Sequence, residues 1–142
     1  MKNKGSVAEY SEDRIQDLLK VYFEYIRGCD VINTHDVFSH IVDLPAPRFY
    51  VSEPRATVVV TKLLQGEEIS RMRQTKQEMY REIYSRYLIE REKYPTLSVA
   101  HVVGIVIEQQ APKFYLAPES ARVMILKAKK KWFAEKRKRF LR

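Results

Sequence analysis

Ala46-Pro47-Arg48-Phe49-Tyr50-Val51 returns 65 residues later as Ala111-Pro112-Lys113-Phe114-Tyr115-Leu116. The register extends from this hexapeptide without a gap. Downstream, Ala56, Val58 and Lys62 fall on Ala121, Val123 and Lys127, while upstream Val37 and Ile41 fall on Val102 and Val106. Further back, Ile15, Leu18, Leu19, Tyr22 and Phe23 meet Tyr80, Ile83, Tyr84, Tyr87 and Leu88. An uncommon motif repeating inside an ungapped apolar pattern is the mark of a duplication.

Each copy reads as three helices. Apolar residues at 15, 18, 19, 22, 23 and 26 follow one helix face and predict a helix over about 13–27, opened by Ser11 with acids behind it. Its counterpart spans about 76–93, where Thr75 and Glu78 have the spacing of a capping box. Short second helices follow, the first capped by Asn33 with Val37, Phe38 and Ile41 inward, the second by Ser98 with Val102, Val103 and Val106 inward. Pro45, Pro47 and Pro112 end them, since proline lacks an N–H and restricts the residue before it. Ser52 caps the first of the third helices and Pro54 fits its first turn, with Pro118 and Glu119 in those places in the second copy. Val58-Val59-Val60-Thr61 alone suggests a strand, but its partner Val123-Met124-Ile125-Leu126 runs into an Ala/Lys-rich helical stretch, which decides for helix in both. Gly66 closes the first copy as a C-cap, whereas the second continues along Ala121, Met124, Ile125, Ala128 and Trp132. The expected fold is all-α: two tandem three-helix repeats, helix-turn-helix-like in outline, with a basic C-terminal helical extension. The divisions are 1–66, 67–132 and a tail over 133–142. A polar linker over 66–74 is too short for the copies to be independent.

The pattern Pro-Arg-Phe-Tyr-Val-Ser-Glu-Pro-Arg-Ala over 47–56, with its echo Ala-Pro-Lys-Phe-Tyr-Leu-Ala-Pro-Glu-Ser-Ala-Arg over 111–122, resembles small basic tandem-repeat proteins of anaerobic gut bacteria and their phages. The resemblance covers residues 10–132. It implies a setting in mobile-element or phage biology, without a mechanism or functional residues to carry over.

Composition bounds the function. With 142 residues, 45% of them hydrophobic, and 16 aromatic residues, the chain has the material of a folded core. Cys29 is the single cysteine, so no internal disulfide and no multi-thiolate metal site can form; it reads as a small buried residue. The first ten residues have no apolar signal region and no stretch reaches membrane-span length, which points to the cytoplasm. His35, His40 and His101 lack metal-ligand spacing, and no phosphate loop, nucleophile elbow or paired carboxylates in an apolar setting occur. The expectation is therefore a binding protein, not an enzyme, with no cofactor, no bound metal and no membrane.

Charge supplies the candidate site. The net charge is +8, and residues 127–142 carry nine bases against Glu135 alone, so the other 126 residues are neutral. As a helix, Lys129, Lys130, Lys136, Arg137 and Arg142 form a cationic surface, with Trp132 and Phe133 as an aromatic anchor. Nucleic-acid phosphates, an anionic membrane and an acidic protein all fit such a tail, and a solvated helix without a partner is the plain alternative. Nucleic acid, DNA in particular, is the reading chosen, because bases outnumber acids nine to one while a membrane helix needs a wider apolar face. The candidate residues are Arg48, Lys113 and Tyr115 in the turns, Arg122 and Lys127 on the third helix of the second copy, and Lys129, Lys130, Lys136, Arg137 and Arg139 in the tail. Phe49 and Phe114 read as core plugs, although a cation beside two aromatics on a rigid turn can also stack bases. The rival is a scaffold or virion-associated module that binds protein through apolar surface.

Overall fold

The chain forms helices of unequal length, and the reason lies in where it places its prolines and its one glycine cap. The computed structural model describes residues 5–29 and 34–140, the side chains of residues 5–9, 34 and 35 excepted. In it the order is α1 (Gly5–Arg27), α2 (Thr34–Val42), α3 (Glu53–Leu64), α4 (Gln74–Lys93), α5 (Val99–Ile107) and α6 (Pro118–Phe140). Among the described residues there is no strand, only an isolated antiparallel bridge between Ala46 and Ala111. The Val58–Thr61 run is helical, as its partner segment requires.

Local chemistry accounts for most ends. Ser52 accepts from the Arg55 N–H and Ser98 from the His101 N–H, each satisfying a donor left free in a first turn. Gly66 sits at φ 81° and donates to the Leu63 carbonyl, while the Glu67 N–H reaches back to Lys62; this paired closure is open to a residue without a Cβ penalty. Two starts differ from expectation. α1 begins at Gly5, well upstream of Ser11, so Ser11 lies inside the helix. Thr75 is likewise inside α4, which starts at Gln74 behind Arg73 with no side-chain cap; Glu78, the expected partner of Thr75, is instead held by Gln74 and Lys113. Asn33 lies outside the described residues, as does Arg142 of the tail.

The turns after α2 and α5 pair with each other. The Ala46 N–H donates to the Ala111 carbonyl at 3.0 Å and the Ala111 N–H to Ala46 at 2.8 Å. Phe49 donates to Ile107 at 3.0 Å and Phe114 to Val42 at 2.9 Å. The Phe49 ring stacks on Tyr115 at 6.1 Å, and Phe114 stacks on Tyr50 at 5.9 Å. Every contact of this set has its mirror at an offset of 65 residues, the reciprocity of a local twofold axis. Phe49 and Phe114 are buried, which makes them core plugs.

Helix packing follows from this crossing. α3 packs on α4 and α5, while α6 packs on α1 and α2. Gly104 on α5 marks how close the approach is: a Cβ there would lie 3.1 Å from the Glu53 carboxylate of α3. Ala56, Val59 and Val60 fill the core from α3, Ala121 and Ile125 from α6. The sequence divisions 1–66 and 67–132 thus describe the chain, but the packed three-helix groups are α1–α2–α6 and α4–α5–α3. The helix-turn-helix likeness is corrected here. α2 and α3 do not pack on each other, nor do α5 and α6, because an extended proline turn carries each third helix across to the other half.

Two outcomes follow. Phe49→Ala or Phe114→Ala should each cost about 3–5 kcal/mol, read as a lowered denaturant midpoint. A chain of residues 67–142 alone should form a dimer, since its α6 has no α1–α2 surface to cover Ile125; a folded, helical monomer in sedimentation equilibrium would contradict the exchanged packing.

Candidate nucleic-acid interface

α3 stops after 12 residues at the glycine turn, whereas α6 runs for 23. In the 65-residue register Gly66 falls on Lys131, so the stop signal is absent and a run of good helix formers, Lys, Ala, Glu and Arg, carries α6 onward. All residues from Lys130 to Phe140 are exposed. Lys130, Lys131, Lys136, Arg137, Lys138 and Arg139 therefore stand along one projecting helix, with Lys127 exposed just before them.

A file of rings ties the base of this projection to the core. Phe38 stacks on Tyr22 at 6.1 Å, Tyr22 meets Phe23 at 5.7 Å, Phe23 meets Trp132 at 5.6 Å, and Trp132 meets Phe133 edge-on at 4.8 Å. Phe38 and Tyr22 are buried, but Trp132 is 40% exposed and Phe133 46%, so the file runs from core to solvent. Lys129 also belongs to the docking, with its ammonium 3.1 Å from the Tyr22 hydroxyl and 4.9 Å from the ring centroid. Lys136 lies 4.9 Å over Trp132, one helical turn along. Arg122 is 3.7 Å from Glu119, an exposed pair of small energetic weight.

The turn residues stand elsewhere and are engaged within the body. The Arg48 guanidinium lies 4.2 Å over the Tyr10 ring, and its Nε donates to the Phe49 carbonyl at 3.1 Å. Asp13, Asp17 and Glu108 line the same hollow as Arg48 and offset its charge. Lys113 is 2.9 Å from Glu78 and 5.5 Å from the Tyr115 ring. Tyr115 holds φ 56°, unusual for a bulky side chain, with its ring fixed on Phe49. Burial pushes its hydroxyl up to about 12, helped by the Glu82 charge and opposed by Arg86. Burial likewise raises the Tyr50 hydroxyl, which donates to Asp17 at 2.6 Å. These side chains clamp the crossing, and the structure does not bring them together with the tail.

Two features were not read from the sequence. Leu126, Phe133 and Phe140, seven residues apart on one face, are 42%, 46% and 82% exposed. Their spacing was legible, but the stripe is narrow and interleaved with lysines. Arg27, in the last turn of α1, shares a cleft with Trp132, a proximity that only the crossing creates. Cys29 is half-buried and free, not fully enclosed. Among the described residues no group of His, Cys, Asp and Glu is placed to hold a metal, and no helix is long and apolar enough to cross a membrane.

Comparisons with protein-family models, with curated proteins and with solved structures give no match.

The clamp makes a measurable claim. The Lys113 ammonium, and then the Gln74 amide, hold the Glu78 carboxyl below its usual range. A depressed carboxylate stabilises the fold at neutral pH and loses that contribution as pH falls through its folded-state midpoint. In Lys113→Met the Glu78 midpoint, followed by carboxyl-carbon NMR, should rise toward the ordinary value of about 4.3. An unchanged midpoint would show that the ion pair does not persist in solution.

Proposed function

We propose that this chain is two tandem three-helix repeats with exchanged third helices, and that its basic C-terminal helical extension binds nucleic acid, DNA in the first instance. Binding rests mainly on phosphate contacts. The biological form is a non-enzymatic accessory or regulatory protein of a phage or mobile element, working in the cytoplasm.

One observation carries this reading: six cations on a solvent-exposed projection over 130–139, opposed by the single acid Glu135, on a body that is otherwise neutral. A neutral body gives no long-range attraction to a polyanion, so steering and counterion release must both come from the projection. The engagement of Arg48 and Lys113 in the clamp narrows the phosphate-contacting set to Lys127, Lys130, Lys131 and Lys136–Arg139. Arg122 sits near the base of that row.

A second reading has its own observation. Leu64, Leu88 and Ile89 are 43%, 45% and 59% exposed at the end of α3 and on α4, where no continuation of α3 covers them. Such surface suits a protein partner and the scaffold or virion-associated role.

Salt separates the two. Lys130, Arg137, Lys138 and Arg139 changed together to Glu should leave helicity and melting unchanged. The change should weaken binding to a mixed-sequence DNA duplex roughly 100-fold or more at ~0.1 M salt. It should also flatten the log–log salt slope by about 0.9 for each phosphate that the variant no longer neutralises. If the reversed protein binds as tightly as the parent with the same slope, the tail is not the interface. Absence of binding by either protein at low salt would leave the scaffold role.

A further inference from the structure

Trp132 has a groove on each side, and the two differ in charge. One, of about 550 Å³ between α1 and α6, is lined by Glu12 and Glu135 as well as Lys127 and Lys131, so its charges balance. The other, of about 480 Å³ at the C-terminal end of α1, is lined by Phe23, Ile26, Arg27 and Trp132, with Arg27 its one charged group. Three apolar walls, two of them the rings of Phe23 and Trp132, and a single cation in the lining form a slot for a flat, apolar-faced group that carries negative charge beside it. Lys136, 4.9 Å over Trp132, adds a second cation at the same ring.

We infer that this cleft seats an unstacked base of single-stranded nucleic acid, with the strand continuing along the projecting part of α6. The inference rests on the tail reading above and names the form of nucleic acid it takes. Charge complementarity selects a polyanion, and the rings select one whose bases are exposed. Residues 127–142 contain no Asn, Gln, Ser or Thr, the neutral side chains that pair with base edges in a duplex groove. What the tail offers instead is ring faces among cations. Trp132 and Phe133 stand side by side, and Leu126, Phe133 and Phe140 are exposed at seven-residue intervals along one face. Lys129, Lys130, Lys136 and Arg137 border that face. On a duplex these rings would meet phosphates and water, whereas a single strand presents base planes for stacking alongside phosphates for the lysines. A lipid surface would demand a broad apolar face, and cations interrupt this one all round.

Trp132 is the single tryptophan of the chain, so its emission reports on the cleft directly. Full-length protein is titrated with a fluorescein-labelled oligo-dT, with a duplex of equal nucleotide count, and with phosphatidylserine vesicles. Anisotropy and Trp132 emission are read together. Oligo-dT should quench Trp132 and bind roughly ten-fold or more tightly than the duplex. Trp132→Leu, which keeps an apolar neighbour for Phe23, should lose roughly ten-fold in oligo-dT affinity with an unchanged salt slope, and Trp132→Phe should recover part of it. Phe133→Leu, which removes the outermost ring of the file but keeps an apolar neighbour for Trp132, should show the same direction of loss. Circular dichroism melting checks that each variant stays folded. Equal affinity for duplex and oligo-dT, with Trp132 emission unmoved, overturns the stacking cleft while the phosphate reading stands. A Trp132 response to vesicles alone overturns it in favour of a lipid surface. No response to any of the three removes the nucleic-acid reading itself.

Discussion

Everything in this fold depends on the crossing of two proline-stiffened turns. Pro45, Pro47 and Pro112 keep the chain extended where α2 and α5 end, leaving the backbone groups of Ala46 and Ala111 with no helical partner. They satisfy each other instead, in a two-way exchange of hydrogen bonds. The flanking rings lock the exchange, since Phe49 and Phe114 each lie buried against a tyrosine of the opposite turn. With the turns fixed face to face, each third helix is directed away from the helices that precede it. The core is shared from the outset. Neither half can bury Ile125 or Val60 unless the other is present.

Reciprocity at the crossing does not extend to the ends, and the difference is what makes the molecule asymmetric. Gly66 adopts a left-handed backbone that lets α3 finish in a paired closure, whereas Lys131 in the corresponding place would meet a Cβ penalty in that conformation and continues the helix instead. α6 therefore carries its side chains beyond the body. Most of the chain's unopposed charge lies on this continuation, so one glycine-to-lysine difference between corresponding positions separates a capped structural helix from a projecting cationic one. The ring file from Phe38 to Phe133 anchors the projection, because Trp132 has Phe23 to lean on, whereas Leu88, the counterpart of Phe23 on α4, has no continuation of α3 to cover it and stays exposed.

The two sets of cations singled out by residue type behave differently for a geometric reason. Arg48 and Lys113 sit on the crossing, among the acids and rings of the opposite turn and of α1 and α4, and are satisfied there. The tail lysines and arginines project where acids are sparse. A charged residue on a rigid turn and one on a free helix look alike in a sequence. Their surroundings decide which is available to a partner.

Periodicity, caps and breakers act over a few residues, and the sequence alone determined what depends on them. The inward set of α2 and α5, the burial of Phe49 and Phe114, the caps Ser52 and Ser98 and the stop at Gly66 are all local consequences of residue type. So was the basic helix, since nothing between Leu126 and Arg139 breaks it. Starts without a distinctive cap were less legible: α1 extends to Gly5 and α4 begins behind Arg73 because helix-compatible residues continue past the side chains that resembled caps. Which helices pack together was decided by the tertiary structure alone. An apolar stripe on α3 is equally satisfied by its own α1 and α2 or by α4 and α5, since corresponding positions present nearly the same surface. Only the direction in which the paired turns release the chain chooses between them. The cleft of Phe23, Ile26, Arg27 and Trp132 is a product of that choice, for it joins the first helix of the chain to the last.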